Sequence, residues 1–532
     1  MPSLRSSLTY QPQELAFGTS GRRGLIRDLT PLELYINVSA ELEYLQGLAM
    51  GDGGIRPGDE FFLARDLRPS SEGICKVIRQ TVRAAGMRPV NMGAIPTPAL
   101  TDFALDRQRG SIMVTGSHIP FDRNGYKLNT SRGELLKQHE GPINTLVATV
   151  RERIYGEAAA DSLFASDGSL RVEPAELEPE SAEASTAWIK RYTGFFGTCA
   201  LAGKRILVYQ HSAVGRDILV ELLRLLGAEA VPIGRSDCFV PIDTENIGTA
   251  ELAEIQRLGA AAGPAFAVVS LDGDSDRPLM LAPDPRSGDL RFFSGDLVGI
   301  IVAQYLEADA VVVPISCNDA IDRGELAAVV QPKTRIGSPW VIAGMQTAVE
   351  QGKNLVCGWE ANGGFLLGSP VTGKNGILRP LATRDAFLPL LAVLSAAAEQ
   401  GTTVAGLFDA LPARFGQAGL LRDFPRSTGM SIMRELNPAL SHRFHHSNKI
   451  AELLNSIFTA ENGFSSIASA DYTDGVRIYF TNGDIAHIRP SGNADELRVY
   501  AVADSPDRAS AIVALGIAEP AGLLRQLERL FA

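Results

Sequence analysis

Three times in this chain an apolar run of strand length stops in a short polar loop: 111-SIMVTGSH-118, 266-FAVVSLDGDSDR-277 and 354-NLVCGWEANGG-364. Buried strands that end in reactive side chains suit an open α/β sheet, where ligands bind beyond the carboxyl ends of the strands. The neighbouring segments agree. The run 203-GKRILVYQ-210 reads as a strand, and 211-HSAVGRDILVELLRLLGAEAV-231 as a loop, an amphipathic helix, a glycine stop and a second strand. That βαβ pattern predicts a mainly parallel sheet with helices on its faces. Strand–helix alternation recurs before residue 161 and between 297 and 400. The last hundred residues differ. There 475-GVRIYFT-481 and 496-ELRVYAVAD-504 partly alternate apolar and polar residues, predicting a smaller α+β domain with an antiparallel sheet. The segment 161–183 holds seven acids, one base and two prolines, and reads as an exposed linker.

At 532 residues the chain has room for roughly three to five domains. Hydrophobic content of 45% and charged content of 21% fit a soluble globular protein. A formal net charge of −11 argues against nucleic-acid binding, which needs a basic surface. It leaves open a small anionic substrate held by local arginines. The five cysteines, Cys75, Cys199, Cys238, Cys317 and Cys357, are scattered, with no CxxC pair or zinc spacing. They read as buried thiols in a reducing compartment. The first residues, 1-MPSLRSSLTYQPQELAF-17, lack the apolar core of a signal peptide, and 386-AFLPLLAVLSAAA-398 is too short to cross a bilayer. The expectation is a cytoplasmic enzyme or binding protein with no membrane partner.

In the second loop Asp272, Asp274 and Asp276 alternate with Gly273 and Ser275. Carboxylates this close repel one another unless a cation neutralises them, and hard oxygen ligands suit Mg²⁺ or Ca²⁺. An EF-hand is excluded, because its sixth and twelfth positions would be Arg277 and Pro283. A solvated acidic turn is the alternative. In the first loop Ser117 adjoins His118, with Lys127 ten residues on. No G-x-S-x-G elbow surrounds it, so a hydrolase triad is unsupported. An exposed serine carrying phosphate at the aspartate metal site fits better, the alternative being a helix cap by Thr115, Ser117 and His118. The turn Arg489-Pro490-Ser491-Gly492-Asn493 reads as a phosphate clamp or an ordinary β-turn. Glu360 and Asn362 suit vicinal sugar hydroxyls, or a plain polar turn.

Together the loops resemble the α-D-phosphohexomutase superfamily, in the family's order. TGSHIPFDRNGYK is similar to its T-[AG]-S-H-N-P serine loop, DGDSDR to D-G-D-[GAS]-D-R, GWEANGG to G-E-x-S-G and RPSGNADELRVY to R-P-S-G-T-E-P-x-x-R-V-Y; 17-FGTSGRRG-24 and 95-IPTPAL-100 add lesser matches. The resemblance covers essentially the whole chain. It implies an α/β protein of four domains around a central cleft, three related α/β domains and a C-terminal α+β domain, with boundaries near 1–185, 186–296, 297–410 and 411–532. It implies an isomerase in which phospho-Ser117 donates its phosphoryl group to a hexose monophosphate. The 1,6-bisphosphate formed turns around and returns its other phosphate to Ser117. Mg²⁺ would be held by Asp272, Asp274, Asp276 and the Ser117 phosphate, and hexose 1,6-bisphosphate would act as activator. Arg23 and Arg277 would add positive charge, and His118 and Lys127 would move the hydroxyl proton. Glu360 and Asn362 would hold the sugar, and Arg489, Ser491, Gly492 and Asn493 the non-reacting phosphate.

Some relatives carry a basic residue in a third-domain loop where this chain has 337-GSPW-340, many have histidine at the position of Gly364, and Asn493 replaces the usual threonine. The long forms GWEANGGFLLGS and TGSHIPFDRNGYK are similar to bacterial phosphomannomutases. They imply mannose phosphates, and possible glucose phosphates, as substrates. Phosphoglucosamine or phosphoacetylglucosamine mutase is the alternative within the family, and a phosphatase or a non-catalytic sugar-phosphate-binding protein the alternative outside it. A monomer or homodimer is expected.

Overall fold

The apolar runs become strands at the centres of sheets. In this computed structural model, which describes residues 2–18, 20–245, 247–441, 447–490 and 495–531, the first sheet runs in the order Arg88–Ala94, Glu60–Arg65, Ser111–Val114, Arg123–Thr130, Arg22–Leu25. Its first three strands are parallel, and its last two pair antiparallel to their neighbours. The second sheet repeats this plan with Glu229–Arg235, Arg205–His211, Ala267–Leu271, Pro278–Pro283 and Leu290–Phe293: three parallel strands, then two antiparallel ones. The expected βαβ unit is present, with helix Arg216–Leu225 between the parallel strands. In both sheets the reactive loop leaves the third strand of the row and returns as the fourth. Turn geometry and the one-residue alternation of side chains then fix which residues face the site.

The chain divides into two compact units, Met1–Gly295 with Asn362–Ala405, and Asp296–Ala361 with Gly406–Ala532. Both sheets lie in the first. Its helix Phe387–Glu399 is the longest apolar run of the sequence, and its side chains from Phe387 to Ala397 are all buried. Phe387 meets Trp188 edge-on at 5.6 Å, and Trp188 meets Tyr192 at 5.0 Å. Among the described residues no helix is long and apolar enough to cross a membrane.

In the second unit Ala310–Val312 and Val356–Trp359 pair in parallel. Its C-terminal part is the expected antiparallel sheet, in the order Phe415–Arg422, Glu496–Ala503, Ile485–Pro490, Val476–Phe480, Ile467–Asp471. Ile432, Leu436, Ile512, Leu524 and Leu527 from its helices join Val476, Ile478, Ile488 and Val499 in one core.

One expectation is extended and one corrected. The acidic segment is exposed at Asp161, Asp167, Glu173, Glu176, Glu180 and Glu183, as expected, but it is not without partners, because it is tied to the basic face of helix Ser71–Ala84. Glu178 pairs with Arg79 at 2.9 Å and Arg83 at 2.5 Å, Glu176 with Lys76 at 2.8 Å, and the Glu178 carbonyl accepts from Asn91 Nδ2 at 2.7 Å. Each exposed pair adds little alone, so the buried Asn91 bond and the number of pairs hold the strap. Nor are all five thiols buried. Cys75, Cys317 and Cys357 are, whereas Cys199 and Cys238 are exposed, since each lies in a loop outside the sheets.

Trp188 is fully buried against two aromatic rings. Trp188→Ala should therefore destabilise the first unit by about 3–5 kcal/mol, read as a lower unfolding midpoint in urea; an unchanged midpoint would refute this packing role.

Candidate active site

The serine loop and the aspartate loop meet. Strand Ser111–Val114 delivers Thr115, Gly116 and Ser117, and strand Ala267–Leu271 delivers Asp272. The Ser117 hydroxyl donates to Asp272 Oδ2 at 2.8 Å, although the residues are 155 apart in sequence. Ser117 has φ +54° and Ser275 φ +61°, left-handed values that a residue with a Cβ adopts only when its surroundings enforce them. Close approach of the loops needs Gly273, where a Cβ would stand 2.9 Å from the Ser117 carbonyl oxygen. The expectation of an exposed serine is corrected here: Ser117 is 0% exposed, because its hydroxyl is turned inward onto the carboxylates.

Asp272, Asp274 and Asp276 are all buried, and one oxygen from each lies within 4.8 Å of the others. Lys127 Nζ bridges two of them, at 2.6 Å from both Asp274 Oδ2 and Asp276 Oδ2. Thr97, from the 95-IPTPAL-100 segment, donates its hydroxyl to Asp274 Oδ2 at 2.5 Å. Arg384 closes on Asp276 Oδ2 with Nε at 3.0 Å and Nη2 at 2.8 Å. Burial and the charge of Asp276 oppose ionisation of Asp274, but Lys127 outweighs them and holds its carboxyl below the usual range. Burial is likewise outweighed at Asp276, where Arg384, Lys127 and Arg277 hold the carboxyl far down. Asp272 has no such cation in contact; burial, then the charges of Asp274 and Asp276, push it up to about 8.

These carboxylates fit Mg²⁺. Among the described residues Asp274 Oδ1 and Asp276 Oδ1 are buried without a hydrogen-bond partner, Arg277 Nε standing 3.7 Å from the latter, which leaves two hard oxygens for a cation beside Asp272. An orphaned buried carboxylate oxygen is costly unless a cation meets it.

His118 Nδ1 lies 2.8 Å from the Arg277 guanidinium, which can only donate, so this nitrogen is the acceptor of a neutral imidazole. It is 3.5 Å from Ser117 Oγ. Burial, then Arg277 and Arg23, hold the imidazole well below its ordinary pKa. Burial and Arg277 also lower Arg23, to about 10, which leaves it charged at neutral pH. Asn362 is buried; its Oδ1 accepts the Gly364 N–H at 3.0 Å and its carbonyl the Thr244 hydroxyl at 3.3 Å.

In the second unit Glu360 is buried at the end of strand Val356–Trp359, and Arg489 stands 3.5 Å from Asp474. Ser491, Gly492 and Asn493 lie outside the described residues.

Arg384 and Thr97 escaped sequence reasoning. Arg384 sits in 381-LATRDAF-387, where a lone cation within an apolar run was the available signal. It also explains Gly364, where a Cβ would stand 2.5 Å from Arg384 Cδ. Any side chain at 364 would displace the arginine from Asp276.

Below about 8 the Asp272 carboxyl holds a proton that Mg²⁺ must displace. The Mg²⁺ Kd should therefore tighten about tenfold per pH unit as pH rises toward that value; titration calorimetry giving a flat profile would refute it. Without metal the sign for stability is opposite. The folded state keeps this proton after the unfolded chain has lost it, so stability falls as pH rises from the ordinary carboxylate range to about 8. Asp272→Asn should flatten that slope in thermal melts with chelator, and an unaltered slope would count against the assignment.

Residues 14–153 match the phosphoglucomutase/phosphomannomutase α/β/α domain I, residues 294–415 its α/β/α domain III, and residues 446–515 its C-terminal domain. A phosphomannomutase of Sinorhizobium fredii is 37% identical over 505 residues, covering 94% of this chain and 98% of the relative. One of Salmonella muenchen is 37% identical over 499 residues, covering 93% and 94%. Among solved structures, a phosphoglucomutase/phosphomannomutase family protein of Burkholderia thailandensis has the same fold, with a TM-score of 0.65 at 18% identity over 96% of this chain and 95% of that one. With its serine loop set against three buried aspartates, the chain belongs to the phosphoglucomutase/phosphomannomutase family.

Proposed function

We propose that the protein is a phosphomannomutase, an intramolecular phosphotransferase that interconverts mannose 1-phosphate and mannose 6-phosphate. The observation that carries this reading is the Ser117 hydroxyl held 2.8 Å from Asp272 within the buried carboxylate cluster. A serine that only capped a helix would have no reason to meet a buried carboxylate 155 residues away. Two relatives of near-complete coverage carry the phosphomannomutase name, which supports mannose as the sugar.

Asp272, Asp274 and Asp276 would hold Mg²⁺ together with the phosphate of phospho-Ser117. When bound, the ion neutralises charge on the phosphoryl group in transfer. The chain's own residues do the rest. The phosphoryl P–O bond to Ser117 breaks as a bond forms to the free sugar hydroxyl; the sugar hydroxyl proton leaves to a base, and the departing Ser117 oxygen takes up a proton from an acid to become a hydroxyl. Neutral His118, 3.5 Å from Ser117 Oγ, is the candidate to take that proton, and Lys127, the ammonium that bridges Asp274 and Asp276, the candidate to give one. Arg23 and Arg277 supply fixed positive charge where negative charge develops. Glu360 and Asn362 would hold two sugar hydroxyls, and the turn from Arg489 through Ser491, Gly492 and Asn493 the phosphate that is not reacting. A clamp that reads phosphate rather than ring serves both orientations of the bisphosphate. Hexose 1,6-bisphosphate would act as activator by rephosphorylating Ser117 whenever the intermediate escapes.

The test is ³¹P NMR with Mg²⁺, a trace of glucose 1,6-bisphosphate and the 1-phosphates of mannose, glucose, glucosamine and N-acetylglucosamine in turn. Mannose 6-phosphate should appear fastest. Release of inorganic phosphate alone would show a phosphatase, and no change would overturn the mutase reading. Ser117→Ala should lose nearly all turnover yet still bind mannose 1-phosphate in calorimetry; near-normal turnover would rule out the phosphoserine.

A further inference from the structure

Arg68 lies 49 residues before Ser117, and its guanidinium is spent on one loop. It donates to four main-chain carbonyls there: Ser117 at 2.9 Å, Ile119 at 2.5 Å, Pro120 at 2.8 Å and Arg123 at 2.9 Å. The side chain is buried, and its position is fixed from three sides. The Phe239 ring faces it, with its centroid 4.0 Å from the guanidinium carbon. Gly116 approaches so closely that a Cβ there would lie 2.6 Å from Nε. Asp66 Oδ2 is 3.5 Å from Nε. Asp66 is itself held, accepting the Ser71 hydroxyl at 2.5 Å, the Thr115 hydroxyl at 2.8 Å and the Arg68 N–H at 3.0 Å. Thr115 Oγ1 in turn accepts the Ser117 N–H at 2.7 Å.

This arrangement answers a problem posed by the backbone. Ser117 has a left-handed φ of +54°, which costs free energy and persists only where the surroundings over-determine it. Carbonyls that point inward from a tight loop also need donors, because buried unpaired carbonyls are expensive. A guanidinium presents five N–H groups in a rigid plane and can meet several carbonyls at once; an ammonium is a point charge with three donors on a flexible stem. Phe239 carries the effect to the second loop. A Cβ on Gly273 would lie 3.3 Å from the Phe239 ring and 2.9 Å from the Ser117 carbonyl oxygen, so the ring packs where the serine and aspartate loops touch.

We infer that Arg68 is the positioning residue for the phosphoryl-carrying serine. Its guanidinium, packed between Gly116 and Phe239 and anchored on Asp66, holds residues 117–123 so that Ser117 Oγ points at the metal carboxylates. Arg68 does not touch the transferred group; it acts through the loop. The catalytic half of this inference rests on the phosphoserine reading above, and the loop-holding half stands apart from it.

The experiment uses the full-length protein as wild type, Arg68→Lys, Arg68→Met and Phe239→Ala, each treated with glucose 1,6-bisphosphate and Mg²⁺. Intact mass against time reads phosphorylation of Ser117, and hydrogen exchange reads the amides of residues 115–119. Both Arg68 variants should phosphorylate about a hundredfold more slowly, the loss expected from misplacing a reacting atom by about 1 Å. Their loop amides should exchange at least tenfold faster, while KM for mannose 1-phosphate stays within threefold of wild type. Arg68→Lys should not rescue, since charge without the planar fork cannot meet four carbonyls. Phe239→Ala keeps the guanidinium and should show the same pattern with a smaller loss, which separates positioning from a failure to fold. Wild-type phosphorylation with unchanged rates and unchanged exchange in the variants would overturn the inference. A fall in KM affinity matching the fall in kcat would also overturn it, because the loop would then serve binding. If the wild type itself is never phosphorylated, the mutase reading fails, and loop exchange alone decides whether Arg68 holds the loop.

Discussion

Three carboxylates buried within reach of one another are the constraint around which the first unit is built. Two unit charges 4 Å apart repel by about 4 kcal/mol even at an effective dielectric constant of 20, so such a cluster stands only with counter-charges close by. The chain supplies them from distant segments. Lys127 comes from a strand paired to the one that delivers Ser117, Arg384 from the strand Leu381–Asp385, and Arg277 from the aspartate loop itself. The three cations are unequally shared. Asp274 and Asp276 each have one oxygen in contact with protein cations, whereas among the described residues Asp272 meets the Ser117 hydroxyl and main-chain N–H groups. The asymmetry leaves Asp272 as the carboxyl that burial and its two neighbours hold protonated highest up the pH scale, to about 8.

Burial of Ser117 belongs to the same design. A phosphoserine in open water is exposed to hydrolysis, and a mutase that leaks its phosphoryl group to water becomes a phosphatase. Under the proposed mechanism, enclosing the Ser117 hydroxyl beside carboxylates and cations keeps the transferring group away from bulk solvent and strengthens each electrostatic contact. The strained serine backbone is the cost of pointing Oγ inward, and it is met by a dense set of hydrogen bonds to the loop carbonyls.

Much of the site was legible along the chain because each loop carries its chemistry locally. TGSH, DGDSDR and the strands before them sit within a dozen residues, and a periodic apolar run followed by reactive groups marks where a sheet ends. The antiparallel C-terminal sheet was legible from alternation at 476–480 and 496–503. What stayed hidden was made of pairings between remote segments. Arg384 is 108 residues from Asp276 and Thr97 is 177 from Asp274, distances that no local pattern encodes. The burial of Ser117 was missed for the same reason, since the aspartate that turns it inward is itself remote. The acidic strap hid a pairing of the same kind. Its composition reads as solvated chain, and only the basic residues of helix Ser71–Ala84 reveal that it has a partner.

The two sheets of the first unit share the order of four strands and one pattern of directions, the fifth strand coming first in the chain in one sheet and last in the other, and each sends its reactive loop out at the same place in the row. Each loop even holds a left-handed serine, Ser117 in one and Ser275 in the other. Only the first serine meets an aspartate across the gap; the Ser275 hydroxyl instead accepts the N–H of Gly215 within its own half. One sheet thus brings the hydroxyl to this contact and the other the carboxylates. The meeting of Ser117 with Asp272 is therefore a contact between two sheets of one unit, and neither sheet brings both groups alone.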